Sequence, residues 1–314
     1  MIFDQPKIIF LGTPEFAVPI LEKLISSEFP PLLVVTQPDR PVGRRQTVTP
    51  PPVKVAAQAH GIRVIQPENK SALVAALAKE QFDLAILVAY GMIIPQALLD
   101  QPKLGFINVH PSQLPKYRGP SPIQAALLAG ETSTGLTIIK LSQETDAGPI
   151  VAQQTMVIEL RDTFQSLSQK LSALGAELLT SVLPEYLAGS SKLVEQDHSG
   201  ASYCQMITRQ SGQIDWSASA LAISRQFRAF YPWPGVFTNL NGQRLKILNL
   251  ELLEGDFEPG MAPGVVFLTK KQQLAVACGS GAVVLKTVQL AGKKSVSGVD
   301  FILGQKNLVG QKLG

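Results

Sequence analysis

The stretch Asn108-Val109-His110-Pro111-Ser112-Gln113-Leu114-Pro115 places a carboxamide and an imidazole two residues apart, and Asp146 follows within Glu144-Thr145-Asp146-Ala147-Gly148-Pro149. An imidazole beside a carboxamide can polarise a carbonyl and move a proton near neutral pH. A carboxylate in the same cleft could orient that imidazole and accept protons in turn. Each residue also has a plain structural explanation: His110 as the cap of a loop, Asp146 as an ordinary turn aspartate close to a glycine. Spacing alone leaves both open, so the elements that carry these side chains decide whether they could meet.

Leu104 to Val109 is a short apolar run with Gly105 near its start and Pro111 beyond its end. It reads as a buried strand that delivers polar residues at its C-terminal tip, where open α/β sheets keep their ligand crevice. Gly135 to Leu141 is a second strand, delivering Glu144, Asp146 and Gly148. Upstream, Lys7 to Leu11 followed by Gly12-Thr13-Pro14-Glu15 forms a strand, a tight turn and a helix start. Leu32–Thr36, Ile62–Ile65 and Asp83–Tyr90 are further strands, separated by helical stretches such as Pro52–His60 and Ser71–Glu80. That alternation predicts an α/β, doubly wound, mostly parallel sheet. No Gly-x-Gly-x-x-Gly and no Gly-x-x-x-x-Gly-Lys-Ser/Thr occurs, which removes the dinucleotide fingerprint and the phosphate loop. Residues 37–52 form a Pro-rich βα loop with three arginines, Arg40, Arg44 and Arg45, too polar and Pro-rich for regular structure; it suits either phosphate binding or plain solvation. Ile150–Ile158 returns as a strand, and Asp162-Thr163 caps a helix with Phe164, Leu167, Leu171, Leu174, Leu178 and Val182 on its inner face.

At 314 residues two domains are expected, and no apolar run approaches the roughly 18 residues of a membrane span. The first residues lack a secretion leader, so a cytoplasmic protein is expected. Cys204 and Cys278 form no Cys-x-x-Cys pair, which predicts neither disulfide nor metal site. Charge is uneven. Residues 1–210 carry 17 Lys and Arg against 18 Asp and Glu, while residues 211–314 carry 11 against 6. A basic C-terminal third on a neutral body points to a polyanionic partner. There, Val236–Leu240, Arg244–Leu250, Gly264–Leu268, Leu274–Cys278 and Ala282–Gln289 are short strands with Gly-rich turns, fitting a small closed β-barrel. The Gly-, Ser-, Gln- and Asp-rich stretch before them, from Ala188 to Gln213, marks a linker.

A family pattern runs over essentially the whole chain. The motifs Ile9 to Ala17, Thr36 to Pro41, Val88-Ala89-Tyr90-Gly91, Ile107 to His110, Asp146-Ala147-Gly148, Arg228 to Pro234 and Ala291-Gly292-Lys293-Lys294 resemble those of the methionyl-tRNA formyltransferases. The Asn-x-His and Asp-x-Gly pair is common to folate-dependent formyltransferases; the flanking motifs narrow the acceptor. Pro111, Gln113 and Pro149 depart from the family's pattern. The resemblance implies a Rossmann-like formyl-transfer domain at 1–190, a linker at 191–210 and an oligonucleotide-binding-like β-barrel at 211–314. It further implies transfer of the formyl group of the co-substrate 10-formyltetrahydrofolate to the α-amine of initiator methionyl-tRNA, by a monomer using no metal. Asn108, His110 and Asp146 would be catalytic. Ser112, Gln113, Leu114, Pro115, Val88, Tyr90, Gly91 and Ile93 would border the folate, and Arg40, Arg44, Arg45, Lys293 and Lys294 would touch tRNA. The alternative acceptor is a small amine, glycinamide ribonucleotide or an amino sugar nucleotide.

Overall fold

The computed structural model describes residues 6–43, 45–255, 260–305 and 307–314. In chain order the first elements are β1 (Ile8–Gly12), α1 (Val18–Ile25), β2 (Leu33–Val35), β3 (Arg40–Val42), β4 (Thr47–Thr49), α2 (Pro52–Ala59), β5 (Arg63–Ile65) and α3 (Lys70–Leu77). They continue with β6 (Leu84–Val88), α4 (Gln96–Leu99), β7 (Phe106–His110), α5 (Pro122–Ala129), β8 (Ser133–Lys140), β9 (Ile150–Val157) and α6 (Phe164–Leu187). Seven strands make one sheet in the order β5-β2-β1-β6-β7-β8-β9. Its first five strands are parallel, and β8 and β9 add antiparallel. The chain winds outward from β1 through β2 to β5 and then restarts on the other side with β6, a switch point at which the carboxyl ends of neighbouring strands leave a crevice. The central strands are buried on both faces, which is why β1 is the unbroken apolar run Ile-Ile-Phe-Leu-Gly.

Packing against this sheet selects the inner face of α6. The buried residues are Leu167, Leu171, Ser172, Gly175, Ala176, Leu179, Leu183 and Tyr186. Leu174, Leu178 and Val182, predicted to lie inward, are only partly buried. The helix turns its small residues to the sheet because Gly175 permits close approach: a Cβ there would stand 2.9 Å from Leu136 Cδ1 and 3.1 Å from Ile20 Cδ1. Thr163 caps the helix start, accepting from the Ser166 amide at 3.3 Å.

The Pro-rich segment that was expected to be irregular contains a hairpin, β3 paired antiparallel with β4. Thr47, Val48 and Thr49 are β-branched, and Gly43 at φ +72° and Gln46 at φ +51° supply the left-handed positions of the turn. All residues of both strands are exposed. The hairpin's base is fixed at Asp39, whose carboxylate takes Lys54 Nζ on both oxygens at 2.8 Å and Gln66 Nε2 at 2.7 Å.

The remaining elements are α7 (Ala220–Phe230), β10 (Val236–Leu240), β11 (Gln243–Leu252), β12 (Val266–Leu268), β13 (Leu274–Ala277), β14 (Ala282–Leu290), β15 (Val296–Ser297) and α8 (Gly298–Gly304). The strands form an antiparallel half-barrel in the order β10-β11-β14-β13-β12, with β15 on β14. Among the described residues no ladder joins the edge strands β10 and β12, so the predicted closure is not made by strand pairing. Residues 310–314 lie along the gap instead. Val266 donates to Gln311 O at 2.8 Å, Leu313 to Gly264 O at 2.9 Å, and Gly314 to Asn239 O in β10 at 3.1 Å. Leu245, Ile247 and Leu250 of β11 point inward, while Arg244 and Lys246 point out.

The chain forms two compact units. One holds residues 1–122, 133–158 and 167–204, and the other 123–132, 159–166 and 205–314. Residues 191–204 are tied to the first unit by main-chain bonds: Ile150 and Val194 pair mutually, Arg118 N donates to Ser202 O at 2.8 Å, and Cys204 N to Arg118 O at 2.8 Å. Replacing Gly175 by valine should overpack the α6 interface and lower the unfolding free energy by about 1–3 kcal/mol. Urea denaturation followed by circular dichroism measures this, and an unchanged midpoint would contradict the close approach.

Candidate active site

Asn108 and His110 both lie on β7, so the strand's two-residue period points them to the same side, with Val109 turned the opposite way into the α6 interface. They are 7% and 4% exposed. Asp146 arrives on the bend that follows β8, in the left-handed conformation at φ +50°. The three predicted side chains meet. Asn108 Nδ2 donates to Asp146 Oδ1 at 3.3 Å, His110 Nδ1 stands 3.7 Å from Asp146 Oδ2, and the Gly119 amide donates to the same Oδ2 at 2.8 Å. His110 Nε2 lies 3.0 Å from Tyr117 O. A carbonyl oxygen only accepts, so Nε2 carries a hydrogen toward Tyr117 O, and Nδ1 is the ring nitrogen that faces Asp146. The site therefore offers an amide donor, an imidazole and a carboxylate, arranged to stabilise developing negative charge and pass a proton.

Sequence reasoning missed the polar groups behind these three. Arg118 is 1% exposed and among the largest fully buried side chains of the described residues. Its guanidinium bonds Gln196 Oε1 through Nε at 3.2 Å and Nη2 at 2.8 Å, and approaches His198 Nδ1 at 3.3 Å, Tyr203 Oη at 3.3 Å and Glu144 Oε1 at 3.4 Å. Gln196 turns its nitrogen the other way, donating to Asp146 O and Gly148 O at 2.8 Å each. Arg118 could have been suspected as a lone charge inside the Gly- and Pro-rich Tyr-Arg-Gly-Pro loop. Nothing in the polar segment around Gln196 marked it. Gly148 admits no side chain, since a Cβ would come within 1.9 Å of Lys140 O.

The residues expected to border a folate fall into two groups. In the loop after His110, Ser112 and Leu114 are buried. Thr137 Oγ1 donates to Ser112 O at 2.6 Å and accepts from Leu114 N at 3.1 Å, while Gln153 Nε2 reaches Leu114 O at 2.9 Å. Gln113 bonds Thr155 Oγ1, and Gln113 and Pro115 are partly exposed. Val88 at the end of β6 and Tyr90 just after it point their side chains into the core. Burial pushes the Tyr90 phenol up to about 12, and the Tyr90 carbonyl accepts from Thr13 Oγ1 at 2.8 Å. Gly91 and Ile93 are exposed, Ile93 at 70%. Only these two of the four can present a side chain or α-carbon to a ligand. Arg40 and Arg45 are exposed on the hairpin; Arg44 lies outside the described residues. Lys293 and Lys294 are exposed in the turn between β14 and β15. Among the described residues no group of three or more His, Cys, Asp and Glu side chains could hold a metal ion, and no helix is long and apolar enough to cross a membrane.

Comparisons with known proteins identify the family. The formyl transferase family model matches residues 6–183, and the formyl transferase C-terminal domain model residues 206–306. A methionyl-tRNA formyltransferase of Staphylococcus epidermidis is 43% identical over 311 residues, covering 98% of this chain and 99% of its own. That of Chloroflexus aggregans is 43% identical over 302 residues, covering 95% and 97%. Among solved structures, the fold is similar to an N-formyltransferase from Helicobacter canadensis in complex with folinic acid and dTDP-3-aminofucose, at TM-score 0.67 and 20% identity over 89% of this chain and 98% of that one. It is also similar to HypX from Aquifex aeolicus in complex with tetrahydrofolic acid, at TM-score 0.63 and 18% identity over 98% of this chain and 49% of that one. Two family models in order, near-complete coverage at this identity and the Asn108, His110 and Asp146 constellation lead to one conclusion: the chain belongs to the formyl transferase family, among the methionyl-tRNA formyltransferases.

Proposed function

We propose that the protein transfers the formyl group of 10-formyltetrahydrofolate to the α-amine of methionyl initiator tRNA, giving N-formylmethionyl-tRNA for translation initiation in the cytoplasm. The observation that carries this reading is the meeting of Asn108 and His110 of β7 with Asp146 of the segment after β8, in a chain that matches methionyl-tRNA formyltransferases over 98% of its length. The amine nitrogen attacks the formyl carbon, forming a C–N bond while the carbonyl π pair moves onto oxygen. When that pair returns, the bond from carbon to N10 of the folate breaks. The acceptor nitrogen loses a proton, and N10 gains one. Asn108 Nδ2 is suited to donate to the oxyanion, and His110 Nδ1, with Asp146 beside it, to take the amine proton and return it to N10. The folate would be bordered by the Ser112 to Pro115 loop, largely through main-chain groups, and by Gly91 and Ile93.

The acceptor reading rests on charge and size. A methionyl group offers little binding surface, so most affinity must come from phosphates distant from the reaction. Arg244 and Lys246 on the outer face of β11, with Lys293 and Lys294, supply cations on the C-terminal half-barrel. Arg40 and Arg45, together with Arg44, would contact the acceptor end of the tRNA from the hairpin. Arginine suits that place, because its planar fork pairs with phosphate and stacks on an unpaired base.

Alanine at Asn108, His110 or Asp146 should lower kcat by about two orders of magnitude or more while thermal unfolding stays near that of the parent. Normal turnover by a folded His110→Ala enzyme would sink the assignment. For the acceptor, kcat/KM measured with methionyl-tRNA over a salt series should fall steeply, and Lys293→Ala with Lys294→Ala should flatten that slope by roughly two phosphate contacts. Turnover of glycinamide ribonucleotide or an amino sugar nucleotide in preference to methionyl-tRNA would favour the small-amine alternative.

A further inference from the structure

Every hydrogen-bonding capacity of the Gln196 amide is used inside the protein. Nε2 donates to Asp146 O and Gly148 O at 2.8 Å each, and Oε1 accepts from Arg118 Nε at 3.2 Å and Nη2 at 2.8 Å. The two carbonyls can only accept and the guanidinium can only donate, so the amide has one permitted orientation. Gln196 is 5% exposed, which raises the cost of leaving any of these groups unpaired. The residue it grips is under backbone strain. Asp146 sits at φ +50°, a conformation that costs a non-glycine residue about 1 kcal/mol or more and persists only when its surroundings impose it. The carboxylate of Asp146 is held by Asn108 and Gly119, and its main chain is held by Gln196 on both sides of Ala147.

We infer that Gln196 is a positioning residue of the reaction: backed by the buried Arg118 cation, it pins the bend carrying Asp146 so that the carboxylate stays opposed to Asn108 and His110. The inference rests on the reading of Asp146 as the proton-handling carboxylate. A displacement of about 1 Å in such a group can cost on the order of a hundredfold in rate.

Gln196→Met keeps the length and burial of the side chain and removes both links. With methionyl-tRNA and 10-formyltetrahydrofolate it should lower kcat about 10- to 100-fold, with KM for each substrate within about twofold of the parent. Adding it to Asp146→Asn should change kcat less than about threefold, because the carboxylate it positions is already gone. A merely structural amide would instead cause equal losses in both backgrounds. Gln196→Glu keeps the pairing with Arg118 but turns an acceptor oxygen toward the two carbonyls, and it should lose as much kcat as methionine. If Gln196→Met does not fold, Gln196→Glu carries the same test. Parent-like kcat in either folded variant, or additive losses with Asp146→Asn, would overturn the inference. Should Asp146→Asn itself retain kcat, the reading of Asp146 fails and this inference with it; if Asp146→Asn is crippled and Gln196→Met is not, this inference fails alone.

Discussion

A guanidinium withdrawn from water must be given acceptors on every side, and Arg118 imposes that demand on the first compact unit. Its charge cannot be shed by deprotonation, and an unpaired cation in the interior would be strongly destabilising. The acceptors come from far along the chain: Glu144 from the bend after β8, and Gln196, His198 and Tyr203 from the segment that follows α6. Meeting the demand therefore folds residues 194–204 back over the loop after β7. The mutual bonds of Ile150 with Val194, and of Arg118 with Ser202 and Cys204, are the main-chain side of the same arrangement.

The site inherits its geometry from that requirement. A parallel sheet offers strand tips, but a tip gives only one or two side chains per strand, here Asn108 and His110. The third group has to come from a loop, and a loop is a poor platform unless its main chain is fixed. Asp146 meets this condition with its backbone carbonyl, its carboxylate and the carbonyl of Gly148, two residues on, all engaged. Around Leu114 the same economy recurs, where Thr137 and Gln153 from β8 and β9 bond the main chain of the loop that leaves β7.

Much of this could be read from residues in order. Apolar runs ending in polar residues located β1, β6 and β7, because a strand buried on both faces has to be a continuous hydrophobic segment. The meeting of Asn108 and His110 with Asp146 was expected from two strands delivering them to one cleft; β8 runs antiparallel to β7, so it is the segment after Lys140 that carries Asp146 back to them. What could not be read was long-range. Gln196 is unremarkable locally, and its pairing with Arg118 exists only once 78 residues of separation have been closed. The inner face of α6 was misjudged at Leu174, Leu178 and Val182 because apolar periodicity does not register that Gly175 lets the helix approach the sheet. The β3–β4 hairpin was hidden by prolines that count against strands, although Pro41 sits in an exposed ribbon where no central ladder needs its missing hydrogen.

The hairpin has a further meaning for how such a chain changes over generations. Exposed at every residue of both strands, it buries next to nothing, so substitutions at its tip scarcely alter the stability of the sheet below. Selection on those positions is left almost wholly to whatever the ribbon touches, and recognition there can drift without endangering the fold. Asp39 marks where that freedom stops: the neighbouring Lys54 ammonium holds its carboxyl below the usual range, and the same bonds that anchor the ribbon reach into α2 and the chain after β5. The tip of the ribbon can therefore be resubstituted while the Asp39 anchor still ties its base to α2 and to the chain after β5.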